Sequence, residues 1–418
     1  MAGRLFVQPV PKIPFLDLDD QKTEKVREAM RKRINVILAL ALLMLGAGCS
    51  TDMKNIEKLN YANAIGVDFK DGNYHCYIQS IDFQSVAKTS DGQKGPGKIW
   101  IGEGIGSNLE DALFQTYESA QERIIWGHVT AIVISENAIK EGIIGIYDSF
   151  SRYYEFRLTP WIFATRESVK DIFSATGFFE RSPLNSILHE PKSIHSQSSY
   201  VTPIRLHTLI RQTNEPGFTS CIPSLAINKK MWTEKKKQEP KLRIDGAVFL
   251  KNESFKSYIP LEKLSGLRWV RPGTIRAGIS VPDPKHPSVQ IAIENPKRRL
   301  QYSGNGDGPR FDLRVKGTGY TVSRIKNDLV SLSLLTSMTE SAIEKEIRDL
   351  YKLGIEKKTD VLNMEYDLFR YQHKKWKELT GGENVLLTDE ALQDVTVDIN
   401  IEHTSTEKNE RVRGAARH

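Results

Sequence analysis

Cysteine is scarce in this sequence: three occur in 418 residues, at positions 49, 76 and 221. So few cysteines exclude a small scaffold held together by many disulfides. Apart from Cys49, one disulfide between Cys76 and Cys221 is conceivable, but two separate buried thiols are the preferred interpretation. Long apolar runs are scarce as well. The main uncharged apolar stretch, residues 34–45, has 12 residues, whereas a membrane-spanning helix needs about 20.

Sequence motifs for catalysis and for metal binding are also missing. The nine histidines show no His-Glu-x-x-His pairing, which is a common zinc-binding arrangement on a helix. No Gly-x-Ser-x-Gly nucleophile motif occurs either. Residues 92–98 have the spacing of a phosphate-binding loop, but Ile99 follows where a Ser or Thr would hold magnesium. We therefore predict a protein that is not an enzyme and that uses no metal or cofactor.

The chain is basic, but its charge is not concentrated. The formal net charge is +7, and the densest basic run, Lys235–Lys237, lies between Glu234 and Glu239. We interpret this run as a solvated loop. A nucleic-acid-binding surface would show a basic stripe with interleaved aromatic residues, so nucleic acid is not a predicted partner.

Residues 30–48 are typical of a secretory signal. Three basic residues, 31–33, precede the apolar stretch, and three small residues, 46–48, lead directly to Cys49. Such an order marks a signal peptide, and the pattern resembles a bacterial lipobox whose leucine, Leu45, lies one position further from the cysteine than usual. We predict a lipoprotein signal peptide and a diacylglyceryl anchor on Cys49, with a buried apolar helix as the alternative.

Hydrophobic periodicity predicts a mixed α+β fold. Alternating residues on both sides of Asp71-Gly72 predict a β-hairpin, Ser107 and Glu110 predict a capping box, and a long helix is predicted from Thr339 to about Lys358. We expect three mixed α/β domains, in which hairpin-rich antiparallel sheets pack against helices. The predicted segments are 1–29 (a non-structural extension before a natural start at Met30), 30–48 (signal peptide), 49–225 (N-terminal α/β domain), 226–300 (middle hairpin-rich domain), 301–405 (C-terminal α+β domain with the long helix) and 406–418 (polar tail).

Several short motifs occur in the order found in one protein family. They are the lipobox, Ala64–Asp68, Gly127–Glu136, Asp245–Phe249, Leu261–Trp269, Asp360 and Trp376. Together they resemble the Ger(x)C family, the C-subunit lipoproteins of spore germination, although the glycines that the family has after Asp360 are absent. The motif residues carried over to this chain are Gly66, Asp68, Gly127, His128, Glu136, Gly246, Phe249, Trp269, Asp360 and Trp376.

The resemblance implies a function. It implies a non-enzymatic, lipid-anchored subunit of a nutrient germinant receptor on the outer face of the spore inner membrane. Its partners would be two multi-spanning subunits, one A-type and one permease-like B-type, and its role would be receptor assembly or signal coupling, without a small-molecule pocket of its own. Two alternatives stay open: a substrate-binding lipoprotein of an ABC importer, with βαβ units in both halves, and an exported lipid-anchored enzyme.

Most motif residues also have a structural interpretation. Gly66 and Gly246 would allow close backbone approach or a bulge. Trp269 and Trp376 are predicted core residues. His128 is predicted to be a structural residue at a helix-to-strand junction, with a partner contact as the alternative.

Overall fold

A computed structural model describes residues 20–46, 60–81, 98–152, 155–179, 182–285, 288–304, 308–324, 330–381 and 387–402. The predicted lipidation site, Cys49, and the predicted tail, residues 406–418, lie outside these residues. The chain divides into two compact units, residues 1–58 and residues 59–418.

The first unit contains a long helix, α1, Asp20–Gly46. Its first half is rich in Lys, Glu, Arg, Ala and Met, which have high helix propensity. Residues 20–29 are therefore helical. From the sequence, in contrast, we predict no regular structure for the N-terminal extension, residues 1–29. Within the described part of the chain, no helix combines the length and the apolar character that a membrane crossing requires.

The second unit is built around one large mixed sheet. Its strands are β1 Asn60–Lys70, β2 Asn73–Ile81, β3 Ile99–Gly106, β4 Ile124–Ile125, β5 Ala131–Ser135, β6 Trp161–Thr165, β7 Ile204–Arg205, β8 Thr219–Asn228, β11 Lys241–Lys251 and β12 Ser254–Pro260. Two further strands, β9 Thr233–Glu234 and β10 Lys237–Gln238, form a small separate ribbon. The order is β12-β11-β8-β6-β5-β1-β2-β3, with β4 beside β1 and β7 beside β6. The central strands β1, β5, β6 and β8 are parallel, and antiparallel pairs extend both sides.

Helices cover both faces of the parallel centre. They are α2 Leu109–Tyr117, α3 Glu136–Ser151, α4 Val169–Ser174, α5 Pro191–Gln197 and α6 Leu206–Thr213. Every residue of β5 and β6 is buried, as expected for parallel strands with both faces covered. On one face, Ile139 and Ile143 of α3 share a core with Ile132. On the other face, Phe173 of α4 shares a core with Val133.

The C-terminal part adds a second sheet and a long helix. Its elements are α7 Leu267–Val270, β13 Arg276–Val281, β14 Val289–Tyr302, β15 Phe311–Arg324, α8 Leu332–Glu356, α9 Met364–Tyr371, α10 His373–Thr380 and β16 Leu392–Glu402. Strands β13, β14 and β15 are antiparallel, and β16 is parallel to β15. Ile343 and Ile347 of α8 share a core with Ile291 and Val315 of this sheet and with Phe249 of the large sheet. The two sheets are therefore joined by a common apolar core.

The predicted mixed α+β class is confirmed. The hairpin predicted at Asp71-Gly72 is formed by β1 and β2, and the predicted long helix is α8, which begins seven residues before Thr339, at Leu332. The centre of the large sheet is parallel, in contrast to the expected hairpin-rich antiparallel sheets, because helical crossovers connect its strands.

The predicted capping box at Ser107 and Glu110 is wrong by one residue. Asn108 caps α2, since its Oδ1 accepts a hydrogen bond from the backbone N–H of Asp111 at 2.9 Å. Ser107 instead donates from its hydroxyl to the Asp111 carboxylate at 3.1 Å. Asn and Ser are equally favoured as N-caps, so the adjacent pair Ser107-Asn108 left the helix start ambiguous.

Two predicted domain borders fall inside strands. The border between residues 225 and 226 lies within β8, and the border between residues 300 and 301 lies within β14. Strand β8 is paired with β6 on one side and with β11 on the other. The division into domains, including its borders and the number of independently folding parts, stays a prediction.

Candidate functional site

Asp68 and Glu136 lie together at the carboxyl edge of the parallel strands. Parallel strands end at one edge of a sheet, which is where α/β folds form crevices. Here Asp68, Glu136 and Arg166 line a cleft of about 400 Å³. Asp68 is buried; its Oδ1 accepts from the backbone N–H of Phe69 at 2.9 Å, and its Oδ2 pairs with Lys70 Nζ at 2.6 Å.

The charges of this cleft neutralise one another. Glu136 accepts from Lys140 Nζ at 2.5 Å and pairs with Arg166 Nε at 3.2 Å. The Arg166 guanidinium lies 4.5 Å from the centre of the Tyr258 ring, and the Tyr258 hydroxyl donates to Asp245 Oδ2 at 2.9 Å. Burial and this hydrogen bond raise the pKa of Tyr258 to about 12. Because each of these carboxylates already has a partner, the cleft suits a structural network better than a general base.

Gly127 and His128 lie at the opposite, amino edge of the parallel strands, in a 3-10 turn that leads to β5. His128 is exposed, and its ring contacts the ring of Tyr61 edge-on at 4.8 Å. The neighbouring Trp126 is buried and donates from Nε1 to the Tyr117 hydroxyl at 3.1 Å. His128 thus has a packing contact, and a partner contact at its exposed surface stays a prediction.

The structural interpretations of Gly66 and Gly246 are confirmed. A Cβ on Gly66 would lie 2.2 Å from Cγ1 of Val169, so glycine allows α4 to pack this closely on β1. A Cβ on Gly246 would lie 2.4 Å from the carbonyl oxygen of Ile259, next to a bulge between Ile244 and Gly246. Gly66 therefore serves close packing of a helix on the large sheet, and Gly246 serves close packing between neighbouring strands.

Asp360 organises a buried connection between the two sheets. Its two carboxylate oxygens accept hydrogen bonds from the backbone N–H groups of Met364 at 3.0 Å and Glu365 at 2.9 Å, at the start of α9. A carboxylate in this position caps the helix and interacts favourably with its dipole. The adjacent Asn363 has a positive φ of 55°, and its Oδ1 accepts from the backbone N–H of Thr219 in β8 at 2.7 Å.

Two ion pairs lie beside Asp360. Glu365, which is 1% exposed, pairs with Lys251 at the end of β11. Arg298 of β14 pairs with Asp367 of α9 at 2.6 Å and donates to the carbonyl oxygen of Leu362 at 2.9 Å. Burial raises the pKa of Asp367 although Arg298 opposes this change. The segment around α9 is therefore held by charged contacts to both sheets.

Arg271 completes this group. It donates from Nη1 to the carbonyl oxygen of Thr219 at 2.9 Å and from Nε to the carbonyl oxygen of Val361 at 3.2 Å. Burial lowers the pKa of the Arg271 guanidinium. We name the whole group the Asp360 junction; its members are Thr219, Lys251, Arg271, Arg298, Asp360, Asn363, Glu365 and Asp367.

The aromatic motif residues border this junction. Phe249 and Trp269 are fully buried, and Trp269 donates from Nε1 to Glu346 Oε2 at 2.6 Å. Trp376 is half-buried at the margin of the same core, and its Nε1 lies 3.4 Å from Glu365 Oε1. The predicted core position is confirmed for Trp269 and holds in part for Trp376.

The sequence pattern singles out Asp360 but not its partners. Lys251 directly precedes a polar turn, and Glu365 lies in a short polar helix, so each resembles an ordinary surface charge. One signal is available: Lys251 follows the apolar run that ends at Leu250, and a lysine that continues a buried strand requires a buried partner.

The reactive side chains elsewhere are protected. Cys76 and Cys221 are free thiols, of which Cys76 is buried and Cys221 is partly buried. The preferred interpretation of two separate thiols is confirmed, and their predicted burial holds fully only for Cys76. Burial raises the pKa of both, to about 11 for Cys221, so neither is a thiolate at neutral pH. His189 lies between Thr130 Oγ1 at 2.6 Å and Gln79 Oε1 at 3.0 Å, and burial lowers its pKa to about 3. Among the residues that the structure describes, no cluster of three or more His, Cys, Asp or Glu could hold a metal ion.

Two family models match the chain in sequence. The model described as the spore germination protein N-terminal domain matches residues 52–227. The model described as spore germination B3/GerAC like, C-terminal, matches residues 244–405. The chain belongs to the GerAC-like spore germination protein family. The resemblance predicted from the order of short motifs is thereby confirmed.

This GerAC-like chain is similar to a relative and to a solved structure. It is 24% identical over 228 residues to the putative spore germination protein YfkR of Bacillus subtilis (strain 168), a match that covers 54% of this chain and 57% of YfkR. The chain thus spans little more than half of YfkR in that match. The crystal structure of the GerBC protein aligns with 84% of this chain and 99% of its own at 17% identity, with a TM-score of 0.48.

The Asp360 junction lies where the two GerAC-like regions meet. Thr219 belongs to the N-terminal region, whereas Arg271 and Asn363 belong to the C-terminal region. The hydrogen bonds from Arg271 and Asn363 to Thr219 therefore connect the two regions directly. We take the junction as the candidate functional site because it connects the two regions through buried and partly buried hydrogen bonds.

Proposed function

We propose that this chain is a lipid-anchored, non-enzymatic subunit of a spore nutrient germinant receptor. Its anchor would be Cys49, on the outer face of the spore inner membrane, and its partners would be an A-type and a permease-like B-type multi-spanning subunit. The observation that carries this proposal is the match of both GerAC-like models, in order, over residues 52–227 and 244–405.

The Asp360 junction supports a role in signal coupling. Buried ion pairs tolerate little displacement, because separating opposite charges in a low-dielectric interior is costly. A movement of α9 would therefore be passed to β11 through Glu365 and Lys251 and to β8 through Asn363 and Thr219. A subunit built in this way can connect one receptor partner mechanically to another.

The chemistry of the described side chains supports a role without catalysis. The carboxylates of the carboxyl-edge cleft are paired with basic groups, the two described thiols stay protonated at neutral pH, and His189 is held neutral. These features favour structural roles for the groups that would otherwise be candidates for nucleophiles or bases.

Co-purification tests the receptor assignment. The tagged full-length chain is isolated from detergent-solubilised spore membranes, and the proteins that accompany it are identified. We expect the two polytopic receptor subunits. Recovery of importer subunits, or of no partner, would overturn the assignment. Mass spectrometry of the chain and of the matched Cys49→Ala chain tests the anchor. We expect lipid on the parent and none on the variant, and a parent without lipid would remove the anchor from the proposal.

Calorimetric titration tests where the germinant binds. Residues 50–418, which include the whole second unit, are titrated with germinant amino acids. We expect no heat of specific binding, since sensing is assigned to the permease-like partner. A micromolar dissociation constant would show that this chain is itself the sensor.

A further inference from the structure

Large apolar side chains are exposed beside the lysine-rich ribbon at the carboxyl edge of the large sheet. Phe179 is 84% exposed, Met231 is 70% exposed and Trp232 is 48% exposed. The rings of Phe178 and Trp232 contact each other edge-on at 4.7 Å, which holds the two chain segments together. We name this surface the aromatic–lysine patch; its members are Phe178, Phe179, Lys229, Lys230, Met231, Trp232, Lys235, Lys236 and Lys237. Grouped exposed apolar side chains of this kind mark interaction sites.

The tip of the ribbon holds two lysines in a backbone conformation that lysine rarely adopts. Lys235 and Lys236 have φ values of 46° and 69°, and they form the turn between the paired residues Glu234 and Lys237. A two-residue turn with both φ values positive is ordinarily built from Asn and Gly, since a Cβ is disfavoured there. Strained residues of this kind cluster at functional positions. Here the strain places two ammonium groups at the outermost point of the ribbon.

The chain segment that contains the ribbon, residues 229–241, is positively charged. Residues 229–241 contain six lysines and two glutamates. Lys241 is used internally, since its Nζ donates to the carbonyl oxygen of Gly177 at 3.1 Å and lies 5.1 Å from the centre of the Phe178 ring. The remaining lysines, 229, 230 and 235–237, are exposed. The flanking glutamates therefore do not neutralise the run, in contrast to its interpretation as a merely solvated loop.

We propose that the aromatic–lysine patch docks onto the surface of an anionic lipid bilayer. Trp and Phe side chains are stabilised at the level of the lipid headgroups, and lysines beside them are attracted by anionic lipids while their methylene stems contact the apolar boundary. An acidic protein surface would pair with the lysines but would need a separate apolar pocket for Phe179 and Met231. The combination of both features at one exposed edge therefore favours a bilayer.

This contact is independent of the proposed lipid anchor, because it uses only residues of the second unit. The test therefore employs residues 50–418, which leave out the signal segment and Cys49 and contain the entire second unit with its own cores. The protein is sedimented with vesicles of phosphatidylglycerol and phosphatidylcholine in equal parts, and with vesicles of phosphatidylcholine alone. We expect binding to the anionic vesicles only, and weaker binding as salt is raised.

A lysine variant and a matched control make the test specific. Each lysine near an anionic surface contributes a factor of about five in affinity, so Lys235→Gln/Lys236→Gln/Lys237→Gln should bind on the order of 100-fold more weakly. The control replaces three exposed lysines around α8, Lys263, Lys345 and Lys352, by glutamine and should bind as the parent does.

Insertion of the aromatic residues has its own readout. Brominated lipids should quench the part of the tryptophan fluorescence that Trp232→Phe removes.

Absence of vesicle binding by the parent, or equal binding by the lysine variant and its control, would overturn the proposal. If the lysine variant instead loses co-purifying receptor subunits while vesicle binding is unchanged, the patch is a protein interface and the bilayer assignment is wrong.

Discussion

Replacing Lys251 with methionine measures how much the Asp360 junction contributes to the free energy of unfolding. Methionine keeps an apolar stem but removes the ammonium group that pairs with Glu365. The carboxylate is then left 1% exposed, with Trp376 Nε1 at 3.4 Å as a distant donor. Removing one partner of a buried pair costs about 3–5 kcal/mol, because the other charge stays buried without compensation. We expect a loss in the free energy of unfolding of this size.

Urea unfolding of residues 50–418 at neutral pH measures this loss. The matched control is Lys256→Met on β12, an exposed lysine, which should change the free energy of unfolding by less than about 0.5 kcal/mol. The double variant Lys251→Met/Glu365→Leu removes both charges and should regain most of the stability, since an apolar replacement of a buried pair is often neutral.

Two results would refute this reasoning. A loss below about 1 kcal/mol for Lys251→Met would show that water or a rearrangement compensates Glu365. A double variant no more stable than the single variant would show that the loss does not come from the unpaired carboxylate of Glu365. Either result would also remove the physical basis for signal coupling through the junction.

Three further predictions concern packing, pH and thiol reactivity. Gly66→Ala should lower the free energy of unfolding by about 1–3 kcal/mol through overpacking, because the new Cβ would lie 2.2 Å from a side chain of α4. The unfolded chain protonates His189 near pH 6.5, whereas burial in the folded chain lowers its pKa to about 3; stability should therefore fall below pH 6.5, by about 2 kcal/mol at pH 5. Cys76, which is 0% exposed, should react with a thiol reagent only on unfolding, since burial also raises the pKa of its thiol.

Each of these predictions has a control. Gly102→Ala, at a position where a Cβ meets no atom within 4 Å, should have little effect, and equal losses for both glycine variants would contradict the packing argument. His189→Gln should remove this site's share of the pH dependence; an unchanged slope between pH 7 and pH 5 would assign that dependence to other groups. Rapid labelling of Cys76 in the native chain would contradict its burial.

Local patterns predicted much of the fold. The hairpin predicted at Asp71-Gly72 is formed by β1 and β2, because alternating residues around a tight turn depend on few distant contacts. The partners of Asp360 and its neighbours could not be predicted in this way. Asn363 bonds to Thr219 across 144 positions of the chain, and Glu365 pairs with Lys251 across 114. The position of Lys251 at the end of an apolar run signals a buried partner, but a single sequence does not identify that partner, since Glu365 and Asn363 each resemble a surface residue.

The antiparallel pairing of β8 with β11 has a consequence for fragment complementation. The pairing spans ten residue pairs, from Lys241 opposite Asn228 to Lys251 opposite Thr219, while the connection between the two strands is the ribbon with exposed lysines at its tip. Trypsin acting at Lys235 or Lys236 would break the covalent chain but leave this ladder and the hydrogen bonds to Thr219 in place. The N-terminal and C-terminal pieces should then separate on a denaturing gel yet migrate as one species on a native gel, and each could be produced alone and recombined into the complete fold.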